Sequence, residues 1–230
     1  MIINTTSTFT IVIPTRNESA TIAEMVDCCR KLTPHVLVVD SLSTDGTPEI
    51  ATKAGAKVIA LPVLGKGAAI RAVIPHIETA IVVFIDADGS HVVEDIPLLL
   101  KPIMEDQADH VQASRLMGGS SELHGSFQEF FRLAGSALIT ACINWRFKVA
   151  ISESQNGFRA LKLDLLKQLD LQENITTIEQ EMVIKTLKKG YRLSEVPSHE
   201  HARIFGDSKI KLSKVWFRYG YVLIKELLIP

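Results

Sequence analysis

An α/β fold, a mostly parallel nucleotide-binding sheet flanked by helices, is what the chain predicts. Three observations carry that expectation. Short unbroken apolar runs (Thr10–Pro14, Val36–Asp40 and Ile81–Ile85) end on polar clusters, as strands buried on both faces do. Helical segments with start and stop signals alternate with them. The 230 residues suffice for one sizeable α/β domain. The βαβαβαβ alternation implies right-handed crossovers between parallel strands.

Taken in order, Thr10–Pro14 is the first strand, and Ser19 is placed to cap a helix running to Lys31. Val36–Asp40 is the second strand. Thr47 then suits an N-cap, Pro48 the first helical position and Gly55 the stop. Ala56–Leu61 is a third strand, and Gly65-Lys66-Gly67 opens a helix containing Arg71. After the Ile81 strand comes a helix over Asp95–Glu105, with a kink expected at Pro102, and a strand over Ala108–Arg115. Ser126–Val149 has helical spacing and few charges, which predicts one or two helices across the mouth of the sheet. Ile175–Lys189 is a further helix stopped by Gly190, followed by a short strand at Arg192–Val196. No repeat or low-complexity linker interrupts the chain. The division expected is one domain over 1–210, with a nucleotide-binding half (1–107) and an acceptor half (108–210), then a helix over 211–230.

Lysine plus arginine number 25 against 26 acidic residues, a balance that argues against a protein built to coat nucleic acid, though not against a local anion site. Three cysteines, two of them adjacent, form neither a disulfide framework nor a zinc pattern and suit a reducing compartment. Met1–Thr8 lacks the features of a signal peptide, and no apolar run reaches about 18 residues. In the tail, Lys211, Lys214, Arg218 and Lys225 fall within an arc of about 60° on a helix. The rest of that helix carries Trp216, Phe217, Tyr219 and Tyr221. A basic stripe beside a broad apolar face suits a helix lying in a membrane interface. A core or dimer helix with one wet, charged edge is the alternative.

Three strand ends carry the chemistry: Pro14-Thr15-Arg16-Asn17-Glu18, Val39-Asp40 and Asp86-Ala87-Asp88. Asp86 and Asp88, at i and i+2, project from one side of the strand, beyond the carboxyl end where open parallel sheets place ligands. Two hard oxygen ligands there can hold Mg2+ or Mn2+ against a diphosphate. The alternative is a solvated turn, since Asp, Gly89 and Ser90 are turn formers. Together the three ends suggest a nucleoside pocket. No G-x-G-x-x-G or Walker loop follows the first strand, which argues against a dinucleotide or NTPase site.

These segments resemble the family 2 glycosyltransferases with the GT-A fold, over Ile11–Glu18, Val38–Thr47, Gly65–Arg71 and Ile85–His91. Later pieces are similar to the dolichyl/polyprenyl-phosphate mannosyl- and glucosyltransferase subgroup. They are Ser114-Arg115 with Gly118-Gly119, Glu153–Arg159, Glu179–Met182, Glu195-Val196-Pro197 and Arg203–Lys209. The resemblance implies inverting transfer of mannose or glucose from a GDP- or UDP-sugar to a polyprenyl phosphate, assisted by Mg2+ or Mn2+. It implies a cytoplasmic enzyme, peripheral on the membrane through the C-terminal helix. Asp86 and Asp88 then hold the metal. Pro14, Arg16, Glu18, Asp40, Lys66, Arg71 and Glu181 join Asp86 around the nucleotide sugar. Arg115, Arg132, Arg203 and Lys209 face the acceptor phosphate, with Asp88 and the three arginines taking the catalytic roles. Glu181 alternatively pairs with Lys185 at i+4, and His91 approaches the metal or is a bystander.

Two departures stand out. The family's usual D-D-G-S is here Asp40-Ser41-Leu42-Ser43, and Gly89-Ser90 stands where some members carry Leu-Gln. Two other functions are compatible with the sequence: a glycosyltransferase acting on a soluble or phosphorylated small molecule, and a non-catalytic nucleotide-binding subunit.

Overall fold

The computed structural model describes residues 9–121, 127–202 and 212–228, with backbone alone for 127–132 and 212–215. Its strands are β1 (Phe9–Thr15), β2 (Val36–Ser41), β3 (Lys57–Leu61), β4 (Ile81–Phe84), β5 (His110–Ser114), β6 (Arg159–Lys162) and β7 (Leu193–Pro197). They form one seven-stranded sheet in the order β3-β2-β1-β4-β6-β5-β7. The pairs β1/β2, β2/β3, β1/β4 and β5/β7 are parallel, as expected. Strand β6 runs antiparallel between β4 and β5.

The helices are α1 (Ile22–Arg30), α2 (Thr47–Lys53), α3 (Lys66–Val73), α4 (Ile96–Met104), α5 (Arg115–Gly118), α6 (Phe127–Phe147), α7 (Leu163–Gln168), α8 (Ile178–Lys188) and α9 (Leu212–Leu228). Alternation within the strands supplies two cores. Ile11, Ile13, Val38 and Val83 pack on Met25 and Val26 of α1 and Leu99 and Ile103 of α4. On the opposite face, Val12, Val39, Val82 and Phe84 meet Ile70 of α3, Leu166 of α7 and Met182 of α8. Each such side chain contributes roughly 1.5–3 kcal/mol when fully buried, so the central strands are the fixed frame on which the loops stand.

Local start signals differ from expectation. Helix α1 begins after Thr21 rather than at Ser19, because the Thr21 hydroxyl donates to the Ala87 carbonyl at 2.6 Å and pins this corner to the loop beyond β4. Thr47 is the first residue of α2 and not its cap; Gly46, at φ +83°, takes the cap position. The Thr47 hydroxyl instead accepts from the Glu18 backbone N–H at 2.9 Å.

The tail helix forms, and two members of its basic stripe turn towards the protein body. Arg218 donates twice to Glu173, at 2.9 Å each, and Lys225 donates to Gln172 at 3.1 Å, so these members of the basic stripe bind the protein body. Glu173 is buried, and a buried carboxylate requires such a partner. Val222 is buried, and Leu223 and Leu227 pack on a satellite core of Ile143, Ile151, Val183 and Ile184. The outward face carries Phe217, Tyr221, Ile224 and Leu228, within about 60° of helical arc. The neighbouring α6 likewise turns Ala134, Leu138, Ala141 and Trp145 outward, with Trp145 83 % exposed. Among the described residues no helix is long and apolar enough to cross a membrane.

Candidate active site

Parallel pairing places the carboxyl ends of β1, β2, β4, β5 and β7 along one edge of the sheet. Thr15 pairs with Asp40 in register, and Ser114 with Pro197. Because β6 is antiparallel, Phe84 pairs with Arg159, and the amino end of β6 arrives at the same edge. Asn156-Gly157-Phe158 therefore lies alongside Ile85-Asp86-Ala87. This short strand was not expected from the sequence, and it completes the site.

Asp86 sits in a cluster of charges. Its Oδ1 is 2.5 Å from the Lys66 ammonium, which is also 2.5 Å from Glu179 Oε1. The other carboxylate oxygen, Oδ2, faces His91 Nε2 at 3.7 Å. Burial alone would raise the Asp86 carboxyl, yet the Lys66 charge and the His91 bond outweigh it and hold it far below the usual carboxylate range. Lys66 shows the converse: burial would lower its ammonium, but Asp86 and Glu179 keep it above the ordinary lysine value. Below this cluster Arg159 is 1 % exposed. Its guanidinium donates to the backbone carbonyls of Asn156 and Glu179, tying the 156–157 turn to the start of α8. Burial pulls its pKa down, against the opposing charges of Glu179, Glu153 and Asp86.

Asp88 is buried, and its Oδ1 accepts from the Ser90 N–H at 3.1 Å and the Ser90 hydroxyl at 2.7 Å. Gly89-Ser90 thus orients the second carboxylate. Among the described residues no group of three or more His, Cys, Asp or Glu side chains is arranged to hold a metal. Two carboxylates nonetheless fit a hard divalent ion that takes its remaining oxygens from substrate phosphates and water. The close approach of Gly157 to Asp86 is consistent with a site kept clear of side-chain bulk.

The loops after β1 and β2 form a hydrogen-bonded lattice. Asp40 is buried; its carboxylate accepts from Thr15 at 3.4 Å and from the Ser43 N–H at 3.0 Å. The Asn17 N–H donates to Ser43 at 2.7 Å, and the Thr44 N–H to Asn17 at 2.8 Å. Burial, the largest single influence on Asp45, pushes its carboxyl up, but the bonds it accepts from Ser19 and Thr47 together outweigh that and hold it down at about 2. Pro14 is half-buried near the end of β1, and Arg16 (exposed) and Glu18 (half-buried) follow in the loop after it. Leu42, which replaces the family glycine, has φ +59°, so the backbone turn is kept at the expense of left-handed strain. Leu42 is 47 % exposed, so little burial is lost on its removal. Leu42→Gly is expected to raise stability by about 0.5–1 kcal/mol, strain relief of roughly 1–2 kcal/mol less the glycine entropy cost. Urea unfolding with an unchanged slope checks this.

Several expected phosphate and sugar ligands have protein partners in this structure. Arg115 is clamped between Glu153 at 2.6 Å and Glu200 at 2.9 Å. Burial would lower its guanidinium, but these two carboxylates hold it above the ordinary range. Burial pushes Glu153 up despite Arg115, whereas for Glu200 the Arg115 charge overcomes burial. Arg71 donates to Asn174. Glu181 is fully buried, accepts the N–H groups of Gln172 and Glu173, and pairs with Lys185 at 2.7 Å. The i+4 alternative describes its position. Glu179 reaches Lys66 in its place, because residues two apart on a helix point about 200° apart. Arg132 lies on α6 with its side chain outside the described residues, and Arg203 and Lys209 lie wholly outside them. Glu153, Gly157, Arg159, Glu179 and Glu200 carry no individual functional signal in the sequence. Four of them stand inside the motif pieces quoted above, the one signal that could have flagged them.

Comparison with known proteins agrees with this geometry. Residues 10–166 match the family described as Glycosyl transferase family 2. Glycosyltransferase AglJ of Haloferax volcanii is 31% identical over 219 residues, 94% of this chain and 70% of the relative. A dolichyl-phosphate hexose transferase of the same organism is 28% identical over 203 residues, covering 87% and 85%. The fold is similar to glucosyl-3-phosphoglycerate synthase of Mycobacterium tuberculosis, solved with Mn2+, UDP-glucose and phosphoglyceric acid. That likeness has a TM-score of 0.78 and 22% identity, covering 97% of this chain and 81% of the other. Family match, relatives and architecture agree: the chain belongs to the family 2 glycosyl transferases and is a glycosyltransferase of GT-A architecture.

Proposed function

We propose that this chain transfers a hexose, mannose or glucose, from a GDP- or UDP-sugar to a polyprenyl phosphate, with inversion and with Mg2+ or Mn2+ held by Asp86 and Asp88. The observation that carries the lipid acceptor is the relative named dolichyl-phosphate hexose transferase, similar over most of both chains. When bound, the ion neutralises charge growing on the leaving nucleoside diphosphate. The protein's own residues bind and orient. Asp40 and the 16–19 and 41–47 loops take the nucleoside, and Lys66 offers ammonium protons to phosphate oxygens. A phosphate oxygen of the acceptor attacks the anomeric carbon as the bond to the diphosphate breaks. That oxygen is already anionic near neutral pH, so no general base is needed. Arg132, Arg203 and Lys209 serve the acceptor phosphate, while Arg115 positions the 198–201 segment through Glu200. In this reading 1–107 carries most of the donor site and 108–210 the acceptor site, with Gly157 and Glu179 reaching back to Asp86 and Lys66.

The apolar faces of α6 and α9 suit a bilayer surface that supplies the lipid. Phe217→Gln with Ile224→Gln and Leu228→Gln is expected to weaken vesicle binding on the order of 10²-fold while leaving the melting temperature nearly unchanged. Vesicle co-sedimentation measures it. Unchanged vesicle binding with loss of a dimer would assign the face to a second copy instead. The acceptor itself is tested with radiolabelled UDP- and GDP-hexoses and added polyprenyl phosphate. Label moving into the organic phase supports the proposal. Label remaining in water on a phosphorylated small molecule would favour the soluble acceptor.

A further inference from the structure

Lys66 holds a place that any cation drawn to Asp86 must contest. Its ammonium lies 2.5 Å from Asp86 Oδ1 and 2.5 Å from Glu179 Oε1. It comes from the first residue of α3, whereas Glu179 comes from α8 and Asp86 from the loop after β4. Gly157 closes the fourth side: a Cβ there would fall against Lys66 Nζ and 2.6 Å from Asp86 Oδ2. Asp86 and Glu179 share the Lys66 ammonium, the buried Arg159 feels Glu179, Glu153 and Asp86, and His91 stands 3.7 Å from Asp86 Oδ2. A divalent ion arriving alone would add two positive charges beside Lys66 and would have to share the Asp86 carboxylate with that ammonium. A nucleoside diphosphate arriving with it would bring compensating negative charge and offer Lys66 new acceptors. Glu179 keeps its hold on the ammonium throughout, so Lys66 is never stranded as an unpaired buried charge.

We infer that Lys66 is a built-in competitor for the divalent ion at Asp86, held ready by Glu179, and that it makes metal binding depend on the nucleoside diphosphate. Metal and nucleotide then bind with positive coupling, and the protein does not load firmly with metal before its donor arrives. The inference rests on the assignment of Asp86 and Asp88 as metal ligands.

The test is Mn2+ binding to the whole chain, read by electron paramagnetic resonance without nucleotide and again with UDP or GDP. Lys66→Gln is expected to bind Mn2+ alone on the order of tenfold more tightly than the wild type, because a like charge is removed. Glu179→Gln is expected to bind it on the order of tenfold more weakly, because Lys66 then belongs to Asp86 alone. A merely structural Lys66 moves both variants the same way, towards weaker binding. Unchanged or weaker Mn2+ binding by Lys66→Gln with a native circular dichroism spectrum overturns the inference. If Lys66→Gln does not fold, Glu179→Gln decides, and unchanged or tighter binding overturns it. Mn2+ binding that survives Asp86→Asn with Asp88→Asn, nucleotide present, overturns the metal assignment itself.

Discussion

Asp88→Ala is expected to lower hexose transfer on the order of 10³-fold, the range lost when a group stabilising developing charge on a leaving diphosphate is removed. The residue also has a local duty, since its Oδ1 accepts two bonds from Ser90. Alanine removes both the charge and that turn. Asp88→Asn separates them: the amide oxygen still accepts from Ser90, but the negative charge is gone. Transfer of labelled hexose is expected to collapse in both variants. The melting temperature should fall in the alanine variant and stay near wild type in the asparagine one. Turnover preserved in both would refute a metal held by this pair. Turnover preserved in asparagine alone would mean that Asp88 matters for the shape of the loop and not for its charge.

The reach of the sequence can be judged at particular residues. Strands β1, β2 and β4 were legible because both faces are buried, so each reads as an unbroken apolar run that stops on a polar residue. Strand β6 was not legible. It has four residues, its ends are Arg159 and Lys162, and only Ala160 and Leu161 look like strand interior. Its antiparallel insertion is a decision of the whole sheet, and with it went the neighbourhood of Asp86. The Asp86-Ala87-Asp88 motif was visible, but the ammonium against it comes from Lys66, and the second hold on that ammonium lies 113 positions further along the chain. The tail shows the same limit. The angular grouping of Arg218 and Lys225 is legible in their spacing, but which side of α9 faces water depends on Glu173, 45 positions upstream of Arg218. Periodicity reports that a helix has two faces and not which neighbour each face meets. At Leu42 the missing family glycine is visible in the sequence, whereas the left-handed backbone is retained because the loop around it imposes the turn.

Two glycines beside the site differ in what their missing side chains protect, and the difference predicts opposite phenotypes. At Gly67, a Cβ would be driven into the Glu173 carbonyl oxygen and to 2.8 Å from the Asn174 carbonyl carbon. Those atoms are backbone, and Glu173 is fixed by Arg218 and Thr177, so neither side can yield cheaply. Helix α3 would have to move off the 173–174 segment, losing the bond from the Ala68 N–H to the Asn174 carbonyl at 3.2 Å. Gly67→Ala is therefore expected to cost about 3 kcal/mol or more, a fall of about 10 °C in melting temperature for a chain of this size. At Gly157 the obstructed atoms are the far ends of Lys66 and Asp86, which can swing apart. Gly157→Ala is expected to cost about 1 kcal/mol in stability but to separate the ion pair, lowering transfer roughly 10- to 100-fold. Melting curves and turnover measured on both variants decide it. Equal thermal losses would mean that the Lys66–Asp86 pair is as rigid as backbone, and the mobile ammonium that metal exchange requires would then be ruled out.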